Sequence, residues 1–438
     1  MKNKKFILII IGLIFTLMII ILIYLVPKKD IKLSYYLFKK IILGNIKIEN
    51  ILKQNQVIDK QALLIEKLRK KNLNYGYNEK YFPTTQFLEL NFKEIHLPKE
   101  LLKYTKRKKP NFAQGITSKF YLDLNEDGNY LFIFSSDLKS YKIKTKFLIE
   151  KKFLDIEEVD NNLNKNHEIT DTLFHNDILY IATFDKTSCK ANVLMAHDTK
   201  DNLIFKNFAE INYSIDCYEH PTGGRLAIKN NQLIFTSDSF NFNDDKNLIN
   251  MYSYDHLGAV YSIDLESKKV KILSSGHRNA QGLIVVDNEH ILTTEHGPRG
   301  GDEINKIIIG KDYGWPTTSY GEPYRIEPSA SKLSLKKNHI NNNFEEPIFS
   351  FVPSIGISQI IKINNNFSNK WKNSFFVTSL NGGSLYRINF DKNFEKIITF
   401  EKIYLGKRIR DIVYHEKYNT FILALENDNG SIGLISTN

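Results

Sequence analysis

One short strand pattern returns six times along this chain, and it predicts an all-β fold, a six-bladed β-propeller. Each copy commonly follows a turn of Asn, Asp or Gly and ends in Ser, Thr, Asp or Glu. The copies start at Leu131, Ile178, Leu233, Ile291, Phe375 and Phe421, with steps of 47, 55, 58, 84 and 46 residues. Several are followed by a second strand of the same type, as in Ala259-Val260-Tyr261-Ser262-Ile263 and Ser384-Leu385-Tyr386-Arg387-Ile388. A repeat of about forty to fifty residues holding several strands is the signature of a propeller blade, and six copies imply six blades around a channel. A β-sandwich would also have many short strands, but not this recurring strand end.

Ahead of the repeats stand two segments of other character. Residues 6–26 carry no charge and are mostly Ile, Leu, Phe and Met, long enough to cross a bilayer, which takes about twenty apolar residues. The residues before Pro27 are bulky, which argues for an uncleaved transmembrane anchor over 1–27 rather than a removed signal. Lysines flank the run on both sides, so charge does not fix its orientation; the expectation is a short inner tail, with the rest of the chain facing the periplasm or cell exterior from the inner membrane. Residues 28–85 have Ile and Leu spaced among Lys, Glu and Gln, with neither Gly nor Pro between 45 and 75, and read as a helical stalk or linker. The propeller is expected over 86–438. Residues 87–97 are expected to supply a strand that closes the ring against the last blade, and the long step of 84 an insertion, 312–350, over one face.

The 438 residues hold 60 Lys+Arg against 49 Asp+Glu, a net charge of +11. The lysines are scattered and no nucleic-acid motif accompanies them, so nucleic acid is not an expected partner. Two cysteines, Cys189 and Cys217, lie too far apart for a zinc site of the usual spacing. They are either a disulfide of an exported domain or two buried thiols.

Chemistry concentrates in Gly276-His277-Arg278-Asn279-Ala280-Gln281-Gly282, then Glu295-His296-Gly297-Pro298-Arg299-Gly300-Gly301-Asp302-Glu303, then Tyr313-Gly314-Trp315-Pro316. The first loop combines a cation, an amide and a glycine hinge, which suits a planar polyanion. The second joins Gly-Pro carbonyls to adjacent carboxylates and reads either as a tight turn or as a site for a hard cation such as calcium. His220, just before a repeated strand, has the pKa of a general base, and Asp238 at that strand's end could orient it. Arg408 and Arg410 are two apart, so on a strand they share one face.

The motifs G-H-R-N-x-Q-G-L, E-H-G-P-x-G-G-D-E-I-N and D-Y-G-W-P, in this order, resemble the soluble quinoprotein glucose dehydrogenases and aldose sugar dehydrogenases. Those are six-bladed propellers carrying pyrroloquinoline quinone (PQQ) and calcium. The resemblance implies that His220 is the catalytic base, Asp238 its partner and Arg278 a stabiliser of charge on the quinone oxygen. It implies further cofactor contacts at Asn279, Ser354, Asn381, Arg408 and Arg410, with catalytic calcium on the carbonyls of Gly297 and Pro298. Glu303 and the Tyr313 carbonyl would hold part of a structural calcium site, with Glu345 a candidate to complete it. The implied reaction takes a sugar's anomeric hydroxyl to a lactone and passes electrons to an acceptor the sequence does not name.

Two departures stand against this. Asn381 takes the place of a lysine expected on the quinone oxygens, and no glutamine contact is found around 167–173. A propeller without redox activity, binding carbohydrate or protein, is the alternative.

Overall fold

Each of the six repeated strands is the second strand of an antiparallel sheet. The computed structural model describes residues 81–83, 89–98, 100–102, 104–105, 116–117, 119–151, 154–187, 190–197, 202–212, 223–239, 258–322, 335–426 and 430–437, all within one compact unit, Tyr77–Asn438. The expected anchor, the expected stalk as far as residue 80, His220 and both cysteines lie outside the described residues; the end of the expected helical stalk, Tyr81–Pro83, is instead a strand that pairs with 89–91, where the closing strand offers it an open edge. Among those described, no helix is long and apolar enough to cross a membrane.

Blade one pairs Phe120–Leu124, Tyr130–Ser135, Ser140–Lys144 and Ile156–Glu158 in that order, and blade two His167–His175, Ile178–Asp185, Lys190–His197 and Lys206–Asn212. Blade three holds Leu226–Lys229, Gln232–Thr236, Val260–Asp264 and Val270–Ser274, and blade four Ala280–Val285, Ile291–Glu295, Asp302–Lys306 and Phe349–Phe351. Blade five is Ile357–Lys362, Ser374–Ser379, Ser384–Phe390 and Ile397–Tyr404. Blade six takes three strands from the chain's end, Ile409–His415, Thr420–Leu425 and Ser431–Thr437. Its next strand, Glu89–His96, comes from the start of the propeller and pairs with Ser431–Thr437. The closing strand expected over 87–97 is therefore present.

The repeated strands do not border the channel. The first strand of each blade does, and each touches the first strands of both neighbouring blades. The second strands are the recognisable ones because they are buried on both faces, as the unbroken buried runs of Ser374–Ser379 and Thr420–Leu425 show.

Every junction between neighbouring inner strands carries a side chain bonded to the other strand's backbone. Asp411 Oδ2 accepts from Leu122 N at 3.0 Å, Asp123 Oδ2 from Phe174 N at 2.6 Å and Asp171 Oδ2 from Leu226 N at 2.8 Å. Arg225 Nε donates to Gln281 O at 2.7 Å, Gln359 Oε1 accepts from Leu283 N at 3.0 Å, and Ser358 Oγ donates to Arg410 O at 2.6 Å. Behind this ring the apolar side chains form six clusters among the described residues, one at each junction between blades. Leu131, Ile133, Ile422 and Ala424 share one of them, all fully buried.

The insertion of blade four leaves after Asp302–Lys306 and runs back along the junction with blade three. Tyr313 N donates to Ser275 O at 2.9 Å and Trp315 N to Gly276 O at 2.9 Å, while Arg299 and Glu322 bridge through their backbones. This brings 313–319 against the loops at 276–279 and 297–301.

Candidate functional site

Inner strands begin, and second strands end, at one face of the ring, so the polar residues flanking them meet there. Arg278 is 5% exposed, and its Nη1 donates to the carbonyls of His296 and Gly297, both at 2.8 Å. Its guanidinium carbon lies 5.2 Å from the Trp315 ring, a cation–π contact supplied by the insertion. Asn279 accepts from Gln281 Nε2 at 2.7 Å, and Gln281 Oε1 accepts from Arg410 Nη1 at 2.8 Å. One chain of hydrogen bonds thus ties the Arg278-Asn279 loop to blade six across the channel.

Arg408 and Arg410 share one face, as their spacing predicts. The anion between them is Glu426, 1% exposed, with Arg410 Nε at 2.6 Å and Arg408 Nη2 at 3.2 Å. Burial alone would raise the Glu426 carboxyl, but Arg410 and Arg408 outweigh it and hold it at about 2. Two guanidiniums thus share one buried carboxylate. Just below, Arg225 reaches from blade three to Asp171 at 2.9 Å and Asp411 at 3.1 Å, with its Nη2 on Arg410 O at 3.2 Å. It is 1% exposed, and this triad closes the channel beneath the site.

Asp238 pairs through its backbone with Asn279, which fixes it at the edge of the same loop. Gly223 packs against it so closely that a β-carbon there would lie 3.1 Å from Asp238 Cβ, at φ +87°. The partner expected of Asp238, His220, falls outside the described residues. Asn381 is exposed in the turn after Ser374–Ser379, with its backbone N–H on Ile355 O at 3.0 Å.

The second loop is built as a tight turn. Asp302 Oδ1 accepts from Gly297 N at 3.1 Å and Ser354 Oγ at 2.6 Å, and its Oδ2 from Ile355 N and Ile357 N, both at 3.0 Å. The hydroxyl of Ser354, expected on the cofactor, bonds Asp302. The Gly297 carbonyl faces the Arg278 guanidinium, whereas Pro298 is the next residue of the same turn.

Glu303 is 7% exposed and lies in a small cavity lined also by Glu295, Tyr313, Trp315, Thr318 and His339. Burial, and then the charge of neighbouring Glu295, push its carboxyl well above the usual range. The Tyr313 ring stacks on His277 at 4.5 Å and its hydroxyl bonds Lys306 O, so its side chain holds the insertion in place. Glu345 pairs with Lys311 at 3.6 Å and its charge reaches Tyr313, and Glu346 approaches His339 Nδ1 at 3.5 Å. No group of three or more acidic, histidine or cysteine side chains among the described residues is arranged to hold a metal ion.

Sequence reasoning missed Glu426, Gln281 and Arg225. Glu426 ends the sixth repeated strand and Gln281 lies inside the first motif, so both carried a positional signal. Arg225 follows Gly-Gly in His220-Pro221-Thr222-Gly223-Gly224-Arg225, but nothing local says that it spans the channel.

The family model described as Glucose / Sorbosone dehydrogenase matches residues 174–434. Aldose sugar dehydrogenase YliI of Escherichia coli (strain K12) is 34% identical over 149 residues, 33% of this chain and 38% of that protein. Quinoprotein glucose dehydrogenase B of Acinetobacter calcoaceticus is 24% identical over 218 residues, 37% of this chain and 45% of that protein. The chain spans less than half the length of the curated relatives it matches. Among solved structures, the apo soluble aldose sugar dehydrogenase of Escherichia coli superposes with a TM-score of 0.62 at 18% identity, covering 80% of this chain and 100% of that one. The PQQ-bound aldose sugar dehydrogenase of Streptomyces coelicolor gives 0.55 at 14%, covering 80% and 98%. These two likenesses show the fold. The family match extends over more than half of the chain and takes in all three motifs and the guanidinium pair, so the chain belongs to the glucose/sorbosone dehydrogenase family.

Proposed function

We propose that this chain is a PQQ-dependent aldose dehydrogenase that takes the anomeric hydroxyl of a sugar to the lactone. The observation that carries the reading is the cationic mouth of the channel, where Asn279, Arg410 and Arg408 stand on one hydrogen-bonded chain through Gln281 and Glu426, with Arg278 next to Asn279. A guanidinium matches a carboxylate in two-point geometry, and three guanidiniums at one mouth suit a planar ligand bearing several carboxylates. Arg278, Asn279, Arg408 and Arg410 hold that ligand; when bound, PQQ supplies the two-electron acceptor for the hydride of the sugar's anomeric carbon. His220 takes the hydroxyl proton, and Asp238, fixed through Asn279, orients the imidazole and stabilises its charged form. Arg278 sets a positive charge where negative charge develops, in a site already desolvated.

Calcium at Gly297 and Pro298 belongs to the same proposal. The Gly297 carbonyl here accepts from Arg278, so a metal ion at this point requires the guanidinium to turn toward the cofactor. Residues 6–26 anchor the chain in the inner membrane with the propeller outside, and electrons leave to an acceptor there.

One observation favours the second reading, a binding module: Asn381 supplies no charge where the family has lysine, and Glu426 already offsets one guanidinium. Calorimetric titration with PQQ, with and without calcium, separates the two. Uptake is expected with calcium, tighter in Asn381→Lys, and His220→Ala should abolish aldose turnover while leaving uptake unchanged. No uptake by either the native chain or Asn381→Lys removes the dehydrogenase and leaves the binding module.

A further inference from the structure

A second group on the same rim is built like Arg408, Glu426 and Arg410. Glu168, on the inner strand of blade two, is 7% exposed. Lys119 Nζ lies 3.3 Å from its Oε1 and Lys186 Nζ 3.1 Å from its Oε2. Again two cations meet one buried carboxylate.

Position puts both lysines at the site's face. Lys119 directly precedes the inner strand Phe120–Leu124. Lys186 follows Ile178–Asp185, where that second strand ends, and its N–H donates to Asn166 O at 2.9 Å. Register brings Lys119 beside Arg408: Leu122 of blade one bonds Asp411 of blade six, and three residues back toward the face on each strand stand Lys119 and Arg408. The field of Lys119 also reaches Glu426. The turn holding Asn381 bonds the segment that leads from blade five into Arg408, since Gly383 O accepts from Leu405 N and Gly406 N. Lys119 stands beside Arg408 and the Asn381 turn beside the segment that leads into it.

We propose that Lys119, Glu168 and Lys186 form a second carboxylate subsite, which takes another carboxylate of the planar polyanion held by Arg408 and Arg410 and replaces the cation absent at Asn381. The proposal rests on the cofactor reading above. An ammonium has three donors, so each lysine can serve a ligand carboxylate without leaving Glu168. Glu168 keeps the two long side chains at the rim in the apo protein, which lessens the ordering required on binding.

The test is calorimetric titration of the purified full-length chain with PQQ, calcium present, at low and high salt. Lys119→Gln and Lys186→Gln should each raise the Kd about two- to fivefold, the range for partly exposed charge pairs, and the double variant by roughly tenfold. The salt dependence of binding should become shallower in each. Lys119→Arg should bind as the native chain does, and Asn381→Lys in the double variant should restore affinity. If the native chain takes up PQQ and the double variant does so with the native Kd and salt dependence, the subsite is overturned and the cofactor reading stands. Weaker binding with unchanged salt dependence and a lowered melting temperature marks a structural role and also overturns it. If the native chain takes up none, the cofactor reading falls, and the subsite with it.

Discussion

Glu426 has two tasks that pull in opposite directions. It keeps Arg408 and Arg410 together, and it competes with any anion that would use them. With its folded value at about 2 against 4.5 for an ordinary glutamate, its ionised form is stabilised by folding. A depressed acid contributes stability that is complete above its unfolded value and lost as pH falls through the folded one. The native chain should therefore lose stability from about pH 4.5 down to about pH 2 on account of this group. Glu426→Gln should be less stable by roughly 3 kcal/mol at neutral pH, because it leaves buried guanidiniums without their carboxylate. The gap between the two proteins should close toward pH 2. Urea denaturation across this range checks it, and two curves falling in parallel would show that Glu426 does not carry the acid limb. The same variant should bind PQQ more tightly. Arg408 and Arg410 could be read as a pair from spacing alone, but their anion could not, because sixteen to eighteen residues separate it from them.

At the scale of the strand, what the sequence disclosed depended on burial. Second strands such as Ser374–Ser379 are enclosed on both faces and read as continuous apolar runs with a polar end. Inner strands are short or carry carboxylates toward the channel, as Leu226–Lys229 and the Asp171 of His167–His175 do, and such strands have no alternation to find. The closing strand was legible through its alternating Leu88, Leu90 and Phe92, and Leu90 is fully buried in the junction of blades five and six. Ile95 pairs with Ile432 inside this strand. Ile95→Pro should cost about 2–3 kcal/mol, because proline removes a ladder bond and leaves a carbonyl unpaired. Glu89→Pro, at the exposed end, should cost little. Chemical denaturation of both variants decides it: equal midpoints would mean that blade six stands without the Glu89–His96 pairing.

Over the whole molecule, six apolar clusters alternate with six blades, and six side-chain bonds bind the inner ring. The candidate site draws on blades three, four, five and six, and its proposed extension on blades one and two. Such a site exists only when the ring is complete. The three motifs located it because they sit on consecutive loops of blade four; Lys119, Glu168 and Lys186 escaped notice because their proximity comes from ring closure and no sequence spacing records it. If residues 6–26 hold this ring at a membrane, the full chain should fractionate with membranes and a chain lacking 1–27 should remain in the soluble fraction. Finding the full chain soluble would remove the anchor.

The strand Glu89–His96 is made more than three hundred residues before Ser431–Thr437, the strand with which it pairs. During synthesis it has only Tyr81–Pro83 to pair with while five blades form behind it. Its free backbone edge is then open to any other strand, including the same strand of a neighbouring nascent chain. Ring closure is the last step and a point of risk, and the alternating Glu89, Asn91 and Lys93 give that waiting edge the polar side chains that keep it from pairing elsewhere.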